Sequence, residues 1–141
     1  MKTDKIIDEI NHMTIDSSED YDNLKRIDDL TELLKKNKDG HLACDAMINL
    51  LERNPKVEFG TPGEPIHTIE NYGGHYEELL MASLERQPTF MTTWMLNRII
   101  NAANVFEKKT LIDKMKHITT HPLADEQTKN TAKNFYDYQT K

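Results

Sequence analysis

Apolar residues recur at spacings of three and four along most of the chain. No run of β-branched residues alternates with the period of two that a half-buried strand needs. Leu24, Ile27, Leu30 and Leu34 form the clearest stripe. Such a pattern buries one face of a helix and leaves the other to solvent. The chain is therefore expected to be all-α.

Boundary signals divide the pattern into about seven helices. Ile6, Ile7 and Ile10 mark the first, with Thr3 as its expected N-cap. Ser17-Ser18-Glu19-Asp20 opens the second, with acids where the helix dipole favours them. Lys35, Lys36 and Lys38 close it before Gly40. The third starts near Asp39 or Gly40, carries Ala43, Ala46, Met47, Leu50 and Leu51, and stops at Asn54. The residue before Pro55 is driven out of the α region. Residues 54 to 65 hold three of the five prolines and two of the five glycines, which is loop composition. After Gly73-Gly74 a helix is expected from about His75 to Arg86, with Tyr76, Leu79, Leu80, Ser83 and Leu84 on one face. Pro88 separates it from a helix bearing Met91, Trp94, Met95, Ile99 and Ala102. Two weaker patterns follow, at 106–118 (Phe106, Leu111, Ile112, Met115, Ile118) and 123–138 (Leu123, Ala132, Phe135, Tyr136).

A short repetition runs through this pattern. Gly40-His41 leads to Leu51-Glu52-Arg53-Asn54-Pro55, and Gly74-His75 leads to Leu84-Glu85-Arg86-Gln87-Pro88. The prolines at 55, 88 and 122 stand 33 and 34 residues apart. That period suits antiparallel helix pairs stacked into a small slab of about seven helices. An irregular helical bundle is the alternative. With 141 residues and 37% hydrophobic residues, residues 1–141 are expected to form a single helical domain.

Several chemistries are poorly served by these residues. A single cysteine, Cys44, excludes an internal disulfide framework and a four-Cys zinc site. Amid Leu42, Ala43, Ala46 and Met47 it reads as a buried small thiol. Glu64, His67 and Glu70 include a Glu-x-x-His, half of a di-iron motif, but Pro65 and Gly73-Gly74 disfavour the long straight helix that such a bundle needs. His75-Tyr76-Glu77 resembles the His-x-Glu of zinc deaminases, whose cysteine pair is missing. No Gly-x-Ser-x-Gly elbow or P-loop occurs. The expectation is a protein that is not an enzyme and uses no metal or cofactor. Acids near the N-terminus replace the apolar stretch of a signal peptide, and no apolar run approaches a membrane span. A cytoplasmic protein is expected.

Charge placement is the informative feature. Eighteen Lys and Arg stand against 24 Asp and Glu, a net charge of −6, which disfavours direct nucleic-acid binding. Between Lys56 and Arg86 lie Glu58, Glu64, Glu70, Glu77, Glu78 and Glu85, with no Lys or Arg. Phe59, Ile66, His67, Ile69, Tyr72, His75 and Tyr76 are interleaved with them. An acidic strip dotted with aromatics suits a basic protein surface, with carboxylates steering and tyrosines supplying rigid contact area. The candidate partner-binding residues are Glu58, Glu64, His67, Glu70, Tyr72, His75, Tyr76, Glu77 and Glu78. A purely structural account is also open: Glu77 and Glu78 complement a helix dipole, and Phe59, Ile66 and Ile69 pin the loop to the core. Trp94 and Met95 have core spacing, with Arg98 on the face of Trp94.

The run Asp39-Gly40-His41, Phe59-Gly60-Thr61-Pro62-Gly63-Glu64-Pro65-Ile66-His67, Glu70, Gly74-His75-Tyr76 and Leu79 resembles small all-helical immunity proteins of bacterial polymorphic toxin systems. These include the immunity partners of contact-dependent growth inhibition. The resemblance continues through Ser83, Arg86-Gln87-Pro88-Thr89 and Trp94-Met95-Leu96-Asn97-Arg98-Ile99-Ile100-Asn101. It covers residues 39 to 101, under half of the chain. It implies a HEAT-like or ARM-like helical fold and a stoichiometric inhibitor of a cognate toxin C-terminal domain, often a basic nuclease. An acidic inhibitor fits an RNA-cleaving toxin, bound by a monomer in a 1:1 complex, with neither nucleic acid nor membrane as a direct partner. The rival expectation is a helical repeat scaffold that takes a peptide or protein in a concave face.

Overall fold

Each stretch with the three-to-four apolar repeat folds as a helix in the computed structural model, which describes residues 1–60 and 62–141. Among the described residues there is no strand. The helices are α1 (Thr3–His12), α2 (Tyr21–Lys35), α3 (Cys44–Arg53), α4 (Glu64–Glu70), α5 (Glu77–Arg86), α6 (Phe90–Ala102), α7 (Val105–Ile118) and α8 (Glu126–Gln139). A 3-10 turn, Gly40–Ala43, leads into α3. The protein is all-helical, as the periodicity predicts, with one helix more than expected: α4 lies inside the Pro/Gly-rich stretch. The chain clusters into two compact units, Met1–Leu79 and Leu80–Lys141, the division falling within α5.

In the first unit, α3 is the central element. Cys44, Ala46, Met47, Ile48, Leu50 and Leu51 are all buried, more than one face of a helix. Against it pack Ile6 and Ile10 of α1, and Ile66 and Ile69 of α4. Ile27, Leu30 and Leu34 of α2 complete the core, where α2 packs on α1 and α4. Each such aliphatic side chain contributes about 1.5–3 kcal/mol of transfer free energy when fully buried. Polar contacts then fix the helix ends. Thr3 does not cap α1, because the helix starts one residue earlier than expected, with Lys2 at the cap position, and the Thr3 hydroxyl donates to Asp39 Oδ1 at 2.5 Å. The end of α1 is closed by Arg53, whose guanidinium donates to the carbonyls of Ile10 (2.5 Å) and Met13 (3.3 Å). A cation there also offsets the negative end of the helix dipole. Arg26 and Glu9 form a two-pronged pair at 2.5 and 2.7 Å between α2 and α1.

The loop between α3 and α4 is tightly built. Val57 and Phe59 are buried and anchor it. Gly60 and Gly63 have φ of +129° and +94°, and a Cβ on Gly63 would run into the Phe59 carbonyl. Pro62 and Pro65 are buried. The glycine-proline motif singled out in the sequence is thus explained by backbone packing, apart from Thr61, which lies outside the described residues.

In the second unit α6, α7 and α8 pack on one another. Met91, Met95, Leu96 and Ile100 of α6 meet Met115 and Ile118 of α7 and Ala132 of α8 in its core. Thr89 and Thr92 form a reciprocal capping box at the start of α6. Asn104 and Asp125 cap α7 and α8. The α8 cap falls later than the sequence suggests, leaving Leu123 outside the helix and exposed. Gln139 donates to Asn97 at 3.0 Å and to Asn101 at 2.7 Å, joining α8 to α6. Phe106, expected on a packed face, is 92% exposed.

Candidate functional site

All nine candidate binding residues fall within the first unit, and that unit is strongly acidic. Residues 1–79 carry 18 acids and 9 bases, a net charge of −9, whereas residues 80–141 carry 6 acids and 9 bases, a net +3.

The candidates separate into two groups. The first is the outer side of α4. Pro65, Ile66, Thr68 and Ile69 face inward, His67 is exposed and Glu64 is half-buried, whereas Glu70 keeps one carboxylate oxygen buried. Packing of α4 on α2 brings Glu64 to acids that the strip does not include. Lys35 Nζ lies 3.0 Å from Glu64 Oε2 and 3.0 Å from Glu32 Oε1. Asp28 belongs to the same surface: its carboxyl is held above the usual aspartate range by partial desolvation and then by the negative charges of Glu64, Asp29 and Glu32. The surface therefore carries more negative charge than Lys35 neutralises. Spacing along α2 could have revealed Asp28 and Glu32, which share a face at i and i+4. They escape a search for base-free stretches because Lys25, Arg26 and Lys35 are interleaved with them.

The second group surrounds the 3-10 turn. The rings of His41 and His75 stack with centroids 4.2 Å apart. Tyr72 lies over Gly40, where a Cβ would collide with the tyrosine hydroxyl and the Leu34 carbonyl. Gly40 is thus required for close approach. Burial, then nearby Cys44, pushes the Tyr72 phenol up, against a smaller opposing effect of Lys35. Cys44 is fully buried, and burial together with the Glu77 charge pushes its thiol up to about 11. A thiol so protonated at neutral pH is a packing residue rather than a nucleophile.

The remaining candidates are used locally. Glu77 accepts from the backbone N–H groups of Gly74 (2.9 Å) and Tyr76 (3.2 Å), closing the turn before α5. Tyr76 is only 7% exposed, so its ring packs in the core and is not displayed as an anchor. Glu58 stands in the α3–α4 loop, its N–H donating to Ser18 Oγ at 2.8 Å. Glu78 is exposed on α5. The coherent acidic surface is thus Asp28, Asp29 and Glu32 of α2 with Glu64 of α4.

Among the described residues, no three His, Cys, Asp or Glu side chains form a group able to hold a metal ion. No helix among them is long and apolar enough to cross a membrane. No family model, curated protein or solved structure matches this chain.

Proposed function

We propose that this chain is an immunity protein that binds and neutralises a cognate toxin domain, a basic nuclease that cleaves RNA, in the cytoplasm. The observation that supports this reading is the surplus of negative charge where α2 meets α4, in a unit of net charge −9. Such a surface speeds encounter with a positively charged partner and disfavours nucleic acid itself. A nuclease must present positive charge to hold phosphates. An inhibitor that covers this charge competes directly with the RNA backbone. The inhibitor contributes shape and charge, and no bond is made or broken.

The reading expects the open reading frame directly upstream to encode a large secreted protein with a basic C-terminal domain, and the test is coexpression of that domain with the present chain. That domain alone should arrest growth and degrade cellular RNA, and the present chain should restore growth through a 1:1 complex. Undiminished arrest with the inhibitor in excess would overturn the reading.

A further inference from the structure

We propose that the free protein associates with a second copy of itself, α7 of one copy packing antiparallel on α2 of the other. The first unpaired feature is at the start of α7, where Val105 and Phe106 are 83% and 92% exposed. Large apolar side chains adjacent in one helical turn mark a contact surface more often than isolated ones do. Along the same side of α7 follow the exposed Lys109, Asp113 and Lys116. The second feature is the outer side of α2, where Asp22, Lys25 and Asp29 are exposed, the last two in a solvent-exposed ion pair at 3.2 Å that a contact across copies would share, and Leu33 is half-buried.

Read in opposite directions, the two stripes have the same spacing of three, then four. One antiparallel register sets Lys116 against Asp22, Asp113 against Lys25 and Lys109 against Asp29, each an opposite-charge pair. The same register lays Val105 and Phe106 over Leu33. The reversed sign at Asp113 and Lys25 argues for a defined register rather than general attraction. The opposite net charges of the two units, −9 and +3, favour the encounter. Asp29 also belongs to the acidic surface assigned above to the toxin, so the toxin should displace the second copy. The pairing does not depend on that assignment, and it is tested on the purified chain alone.

Sedimentation equilibrium of the full chain at low salt should show concentration-dependent association that weakens as salt is raised. F106D, K109D and D29K should each lower the association constant about tenfold, because each removes or reverses one partner of the contact. The double variant K109D/D29K should recover to within about threefold of the original, since the reversed charges again oppose each other. The altered side chains are exposed, and unchanged helical circular dichroism verifies the fold of each variant. A chain that stays monomeric throughout would overturn the proposal. So would association indifferent to these substitutions, or failure of the double variant to recover. A monomeric chain that sediments with phosphatidylserine vesicles through Phe106 would overturn it in favour of a lipid surface.

Discussion

Lys35 of α2 meets Glu64 of α4 at 3.0 Å, and the same ammonium meets Glu32 at 3.0 Å. Those two carboxylates, Glu32 first, hold the Lys35 ammonium pKa above its usual range. Lys35, together with Lys25 paired to Asp29 at 3.2 Å, stands among more acids than the two neutralise, and the local balance stays negative.

Replacing that cation separates stability from recognition. In K35M the pairs lost are partly exposed, so unfolding free energy should fall by less than about 1 kcal/mol. Encounter with a basic partner at low salt should meanwhile accelerate by roughly two- to fivefold, as the surface loses one of the cations that offset its acids. Thermal unfolding and stopped-flow association measure the two effects. Slower association would contradict the charge account.

Asp28 and Glu9 should respond to pH with opposite signs. Glu9 is held below its usual range, first by its hydrogen bond to Arg26. It contributes stability above its unfolded value, which is lost as pH falls through the lowered folded value. E9Q should therefore cost about 0.5–1 kcal/mol at neutral pH, a value discounted because both partners are a third or more exposed, and nearly nothing in strong acid.

For Asp28 the folded pKa is raised, so ionisation costs stability as pH climbs from the unfolded value through the folded one. D28N should unfold at a higher temperature than the parent at neutral pH, and the difference should vanish at about pH 3, where both carboxyls are protonated. A less stable D28N at neutral pH would contradict the like-charge crowding.

Two glycines offer a backbone comparison. Gly63 combines φ +94° with a Cβ position inside the Phe59 carbonyl, so G63A should cost about 2 kcal/mol or more. Gly73 has open space around its Cβ position, and G73A should change stability by no more than about 0.5 kcal/mol. Chemical denaturation of the pair measures the difference.

Most of the helices were legible from periodicity, because stripes such as Leu24–Leu34 must bury one side wherever the chain folds. α4 was not, because it has only seven residues and carries Pro65 in its first turn, just after loop-forming glycines. Spacing also identifies a stripe without saying what covers it, which is why Phe106 reads as a packed residue and proves exposed. Tyr76 reads as a binding anchor from its company of glutamates, yet its ring is needed in the core. The acidic surface was half legible: Glu64 stands out on the chain, whereas Asp28 and Glu32 join it only once α2 lies against α4, and Glu70 turns one carboxylate oxygen inward.

The most direct measurement is the rate at which the proposed cognate toxin domain associates with the wild-type chain and with the double variant D28K/E32K over a range of salt. Both positions are exposed, and Asp28→Lys relieves crowding among like charges, so the fold should tolerate the change. The account predicts fast association that slows steeply with salt for the wild type, and a rate lower by about tenfold or more for the variant at low salt. Equal rates for the two proteins, insensitive to salt, would contradict it.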